Sequence, residues 1–304
     1  MKKTSAIIVF LFACLFFTII YSTKNKPETH PHLLELFSVL GISHDGTVPD
    51  ITQLCQKLFR RKPGQERWQM EEIYSDKREK LLPILQKLGV LDEIRPFLNQ
   101  YDTILINGGL VSRMRVRLKF LDEQWAKQVR AKHIVFLVSD RPLDPIKESI
   151  EVINNPQNST IPFRPGWSAA VASVTPKTEA DAAKIVWDQI ITQPGLRRTK
   201  VHYVRAPMIM DEKTQIVKRP GTIDTMNAWL DTKPTPGKYL VISNNPFILY
   251  QCQVIKNALK KRGYSGNGAY LEATGPAADK DTPISVHMDN IALWLEAKAD
   301  EQKE

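Results

Sequence analysis

Five short apolar runs rich in β-branched residues, at residues 103–106, 133–138, 201–204, 239–242 and 269–273, alternate with segments of helical periodicity over the second two-thirds of the chain. Runs of this length with no polar alternation fit strands covered on both faces. Strands separated by helices need crossover connections, and crossovers make neighbouring strands parallel. The pattern predicts an α/β, Rossmann-like three-layer domain over residues 101–304, with about five mainly parallel strands. In such a sheet every strand points its carboxyl end at the same rim, and ligands bind there.

The first run states the rule most sharply. It ends in Asn107-Gly108-Gly109, and a helical segment carrying Val111, Met114, Leu118, Leu121 and Trp125 follows. Gly108 and Gly109 would let backbone amides approach a ligand, beside a helix start that favours an anion. A plain tight turn explains the glycines equally well, because the full Gly-x-Gly-x-x-Gly fingerprint is absent. Arg113, Arg115 and Arg117 on that helix are spaced by two and cannot share one face. Arg113 and Arg117 form the anion-facing pair in this reading, and Arg115 is a solvated surface residue. The other strand ends bring Ser139, Asp140, Arg141, Arg219, Thr222, Ser243, Asn244, Asn245 and Thr274 toward the rim. Asp140 and Arg141 read as an internal ion pair. Thr178-Glu179-Ala180-Asp181 forms an acidic capping box. Glu179 is therefore either a helix-start carboxylate or a group that binds a ligand hydroxyl or moves a proton.

Before the sheet, residues 33–100 read as a helical preface. Leu33, Leu34, Leu36, Phe37 and Leu40 precede Gly41, and Leu81, Leu82, Leu85 and Leu88 precede Gly89, with Asp50 and Asp92 as helix caps. Residues 24–32 are a polar linker. In residues 1–23, Lys2 and Lys3 lead into an apolar stretch over residues 6–21. That layout belongs to a signal-anchor or signal peptide. An uncleaved anchor is expected first, cleavage near Ser22 second and lipidation of Cys14 third.

The balance of 42 Lys+Arg against 33 Asp+Glu gives a formal charge of +9. Acidic residues are interspersed and no aromatic-basic RNA motif occurs, so nucleic acid is not expected. Solvated charge, an anionic ligand and an acidic membrane surface remain. Arg60-Arg61-Lys62 reads as a solvated face. Cys14, Cys55 and Cys252 lack metal-ligand spacing and are too few for a disulfide scaffold. Cys55 and Cys252 read as small buried hydrophobes. No nucleophile elbow, phosphate loop or His-Glu-x-x-His motif is present, and no histidine falls at a strand's carboxyl end.

Over residues 101–262 this order of elements resembles the YdcF/SanA-like family, bacterial Rossmann-like proteins that are often membrane-anchored and linked to envelope functions. The glycine run and the Arg-Leu pair of the family correspond to Gly108-Gly109 and Arg117-Leu118. Ser139 matches, although Asp140-Arg141 stand where the family has glycines. Glu179-Ala180 matches the family's Glu-Ala. Gly221-Thr222-Ile223-Asp224-Thr225 resembles its Asn-Thr-x-Glu-Asn, retaining Thr222 and an acid but losing the asparagine. Pro246 and Leu249 replace a family His and Arg. The resemblance implies an inner-membrane protein with a single amino-terminal span and a periplasmic domain, or a secreted or periplasmic protein after cleavage. It also implies S-adenosylmethionine as one candidate cofactor.

The leading expectation is a small anionic or nucleotide-like ligand held at the rim by Gly108, Gly109, Arg117, Ser139, Glu179, Thr222, Ser243 and Asn244. In that expectation Arg117 supplies the positive charge. The alternatives are a non-catalytic interaction module in envelope assembly, and a transferase or hydrolase on an envelope precursor with Glu179 as catalytic base.

Overall fold

The structure, a computed structural model, describes residues 30–168, 175–212, 215–264, 266 and 268–303. The chain divides into two compact units, Met1–Ile51 and Thr52–Glu304. In the first, α1 (Pro31–Leu40) starts with Pro31 and ends at Gly41, whose φ of 71° gives the left-handed stop. The helix α2 (Val48–Phe59) contains the boundary. Asp50 sits in the first turn of α2 rather than capping it, and its carboxylate accepts the Asp45 amide at 2.9 Å.

In the second unit, α3 (Arg78–Lys87) precedes the sheet, and residues 60–77 are largely irregular, so the preface is helical at its two ends. Asp92 starts no helix; it accepts the Gln86 amide in the turn after α3. The chain continues through β1 (Gln100–Asn107), α4 (Val111–Ala126), β2 (Arg130–Ser139), α5 (Ile150–Asn154), α6 (Glu179–Gln189), α7 (Pro194–Arg197) and β3 (Lys200–Ala206). A small antiparallel hairpin follows, β4 (Ile209–Met210) and β5 (Val217–Lys218). Then come α8 (Thr222–Leu230), β6 (Lys238–Ile242), α9 (Ile248–Lys261), β7 (Tyr270–Thr274) and α10 (Ile284–Lys303).

The main sheet has the order β3-β2-β1-β6-β7, and every pairing in it is parallel. The five expected strands are therefore present in one parallel sheet. Its two faces are built from alternate residues of the same strands, as period-two geometry requires. Ile104 and Ile106, Ile134 and Phe136, and Leu240 and Ile242 join Val111, Met114 and Leu118 of α4 and Ala183 and Val186 of α6. Leu105, Val135, Leu137 and Val241 join Met226 and Trp229 of α8 and Ile255 and Leu259 of α9. Both faces are covered, which is why the runs lack polar alternation.

The order of strands reverses between β1 and β6. The chain builds outward from β1 through β2 to β3, then returns to add β6 on β1's other side. Helices before and after the reversal lie on opposite faces, so the carboxyl ends of β1 and β6 open a crevice.

The apolar run at residues 6–21, Cys14 and the expected span lie outside the described residues. Among the described residues no helix is long and apolar enough to cross a membrane. Cys55 and Cys252 are free thiols, the first buried and the second partly buried.

Candidate functional site

A cavity of about 1050 Å³ opens at the reversal point. Asn107, Gly108 and Gly109 after β1, Arg113 and Arg117 of α4, Arg141 after β2, Glu179 of α6, Thr222 of α8, and Phe247, Tyr250 and Gln251 at the start of α9 all line it. Residues 60–69 form a further wall, and the β4–β5 hairpin forms part of the mouth.

Five of the eight residues expected to bind a ligand line this cavity: Gly108, Gly109, Arg117, Glu179 and Thr222. The other three stand behind it. The Ser139 amide and hydroxyl donate to Glu179. Ser243 donates to Gln251, whose amide donates in turn to Thr222 at 3.3 Å. Asn244 accepts the Arg117 Nε proton at 3.0 Å.

The glycines are fixed by different causes. Gly108 donates to the Leu137 carbonyl, and a Cβ there would lie 2.5 Å from Glu179 Oε1 and 2.8 Å from that carbonyl oxygen. Crowding therefore requires the glycine. Gly109 has φ 154°, a region closed to L side chains in ordinary backbone. Gly108→Ala is expected to destabilise by about 1–3 kcal/mol through overpacking. A denaturation midpoint equal to the parent's would mean that Glu179 moves aside without cost.

Arg117 lines the cavity, yet its guanidinium is committed inside the protein. Nη1 donates to the carbonyls of Asn107, at 2.6 Å, and Gly108, while Nε donates to Asn244. It is 1% exposed, and it clamps the glycine turn to the loop after β6. Arg115 is not solvated. It is 1% exposed and donates to the Asn158 carbonyl and to Gln189 Oε1, which ties the loop after β2 to α6. Arg113 is the free member of the three. Its guanidinium stacks 4.2 Å from the Phe247 ring centroid, and among the described residues it has no carboxylate or hydrogen-bond partner.

Asp140 and Arg141 are not a pair. Arg205 takes Asp140 at 2.7 Å, and Arg141 binds Glu148 at 2.7 Å. Glu148 also accepts the Val111 amide, the first of α4, at 3.1 Å. Asn245 and Thr274 donate to backbone carbonyls of residues 89–94, so they anchor that segment. The residues after α2 are cavity wall rather than a free solvated face: Arg61 binds the buried Asp289 at 2.6 Å, Arg60 reaches Glu296, and Lys62 joins them in the lining.

The electrostatics follow from this arrangement. Nine basic side chains line the cavity, namely Arg60, Arg61, Lys62, Arg67, Arg113, Arg117, Arg141, Lys218 and Arg219. The three carboxylates, Glu66, Asp144 and Glu179, are already engaged with Arg219, with the amides of Ile146 and Lys147, and with Ser139 respectively. Burial, and then repulsion from Arg67 and Arg117, push the Arg113 guanidinium down to about 9. Burial, and then Arg61, push Arg67 down to about 10. Burial is the main cause of both shifts, and it outweighs the opposing pull of Asp289, 3.4 Å from Arg67 Nε, and of Glu66 on Arg113. Three neutral donors add to the set: the Asn107 side-chain nitrogen is buried with no partner, and the backbone amides of Gly109 and Leu110, at the start of α4, donate to no described group.

Glu179 is 6% exposed. Burial raises its carboxyl above the ordinary range, against the opposing pull of Arg141 and the Ser139 donors. A raised folded value favours the protonated form, so this stability is fully present below the ordinary carboxylate range and is lost as pH rises through the raised value. Glu179→Gln is expected to remove that fall, measured as unfolding free energy from pH 4 to 8. Parallel pH profiles for parent and variant would place the ionisation of Glu179 outside this interval.

The sequence reading missed Arg67, Phe247, Tyr250 and Gln251 as lining residues. Phe247 carries the most legible signal, since it directly follows the polar turn after β6. Among the described residues no group of His, Cys, Asp and Glu is arranged to hold a metal ion. No family model matches the chain, and a comparison with curated proteins found no match.

Proposed function

We propose that the protein binds a small phosphate-bearing ligand in the crevice between the ends of β1 and β6. The observation that carries this reading is Arg113, a partly buried cation held on the Phe247 ring with no ion pair or hydrogen bond among the described residues, beside Arg67, which has Asp289 at 3.4 Å. A phosphate in the crevice relieves the repulsion among these guanidinium groups and takes charge-assisted hydrogen bonds from them. The free amides of Gly109 and Leu110 and the Asn107 side chain supply neutral donors for its remaining oxygens. Trp68 and Tyr250 leave apolar and aromatic surface for a nucleoside or other organic part. The resemblance to the YdcF/SanA-like family is part of the proposal, as is envelope function with the apolar run at residues 6–21 tethering the domain to a membrane. S-adenosylmethionine fits the charge less well, because its sulfonium would enter a field of arginines.

The test is calorimetric titration with inorganic phosphate, pyrophosphate, nucleotides and S-adenosylmethionine at two salt concentrations. Phosphate-bearing compounds are expected to bind, with affinity falling as salt rises. Absence of binding by every phosphate would end the proposal.

A second reading rests on Glu179. A buried carboxyl with a raised proton affinity on a cavity wall fits a general acid. Turnover of a phosphate ester that disappears in Glu179→Gln with binding retained would establish it. Its tight engagement by Ser139 and its contact with Gly108 favour the structural role.

A further inference from the structure

At the mouth of the cavity the cationic wall gives way abruptly to apolar surface. Ile216 is 60% and Val217 51% exposed, and both also line the cavity. Across the hairpin, Met210 pairs with Val217 and is 52% exposed, and Ile209 pairs with Lys218 and is 37% exposed. A two-stranded hairpin has no core of its own, and clustered exposed side chains of this size mark a surface that something covers. The next residues in the chain, Lys218 and Arg219, return to the basic wall.

Building on the phosphate reading above, we propose that the ligand is an amphiphile, with a phosphate head in the arginine-lined crevice and a hydrocarbon tail lying along Ile216 and Val217. One molecule of that kind satisfies both halves of the site. The head meets Arg113, which makes no ion pair or hydrogen bond among the described residues, and the tail covers the apolar residues that line the same cavity. A protein partner seated on the hairpin would cover the apolar residues and leave the charge unanswered.

The experiment titrates the full chain with inorganic phosphate, butyl, hexyl and octyl phosphate, and with octyl glucoside as an uncharged control, all below their micelle concentrations. Affinity is expected to climb along the alkyl series, with octyl phosphate about 20-fold or more tighter than inorganic phosphate. The double variant Ile216→Ser, Val217→Ser should flatten the series and leave inorganic phosphate binding unchanged. Both side chains are exposed, so the fold tolerates the change. Parent and variant share the apolar run at residues 6–21, so its contribution cancels.

A flat series in the parent, with inorganic phosphate still bound, would overturn the tail assignment and leave the phosphate reading intact. Loss of all phosphate binding would remove both. Octyl glucoside binding as tightly as octyl phosphate would reduce the site to nonspecific apolar adhesion. Dissociation of a dimer by the double variant in sedimentation, with the alkyl series unchanged, would assign the hairpin to a second copy of the chain instead.

Discussion

Arg117→Ala is expected to destabilise the protein by about 3–5 kcal/mol, because it removes a buried cation and strands its partners. The partners are the carbonyls of Asn107 and Gly108 and the Asn244 side chain. They sit where β1 ends and where the loop after β6 begins, so the loss acts on both sides of the crevice at once. For a folded body of this size the melting temperature should fall by roughly 10 °C. Arg117→Lys should recover little, since a single ammonium on a flexible stem cannot reproduce three contacts made by one planar fork. A variant that melts with the parent would show that water or neighbouring amides replace these contacts without cost, and would return Arg117 to the pool of residues available to a ligand.

The opposite outcome is expected for Arg113→Ala. Removing a charge-assisted contact to phosphate should weaken binding by about 10- to 100-fold. Stability should change by less than about 1 kcal/mol, because Arg113 has no ion pair to lose and its removal eases repulsion from Arg67 and Arg117. The lost stacking on Phe247 offsets part of that gain. The paired readout is the point of the comparison: Arg117 fails in melting, Arg113 in calorimetry. Unchanged phosphate affinity in Arg113→Ala would refute its role as the head-group contact. Arg67 and Lys62 would then be the next residues to test.

Much of the fold was legible because its signals are local. The run at residues 103–106 reads as a buried strand from four residues, and the glycines after it read as a turn. Thr178 and Asp181 form the capping box that the sequence predicts, each side chain accepting the other residue's amide. The β4–β5 hairpin is not legible in the same way, because two residues per strand leave almost no periodicity. Asp50 and Asp92 were misplaced for a related reason: an aspartate suits a turn as well as a cap, and single residues do not distinguish the two.

The site divides in the same way. Helical spacing separates Arg113 and Arg117 from Arg115, and the two do line the cavity. Spacing gives a direction around a helix axis and says nothing of what waits there. Whether each guanidinium meets carbonyls, a side-chain amide or an open crevice depends on segments far away in sequence. Arg117 meets Asn244, 127 residues on, and Arg115 meets Gln189, 74 residues on. Arg61 and Lys62 become cavity wall because Asp289 of α10 holds Arg61. By itself, then, the sequence determined the five parallel strands, the glycine turn and the rim where a ligand belongs, since residue type and period suffice for these. Only the tertiary structure decided which arginine was free to bind and which held the crevice together. A charge takes its role from the partners that the fold brings within about 3 Å of it, and those partners are nonlocal.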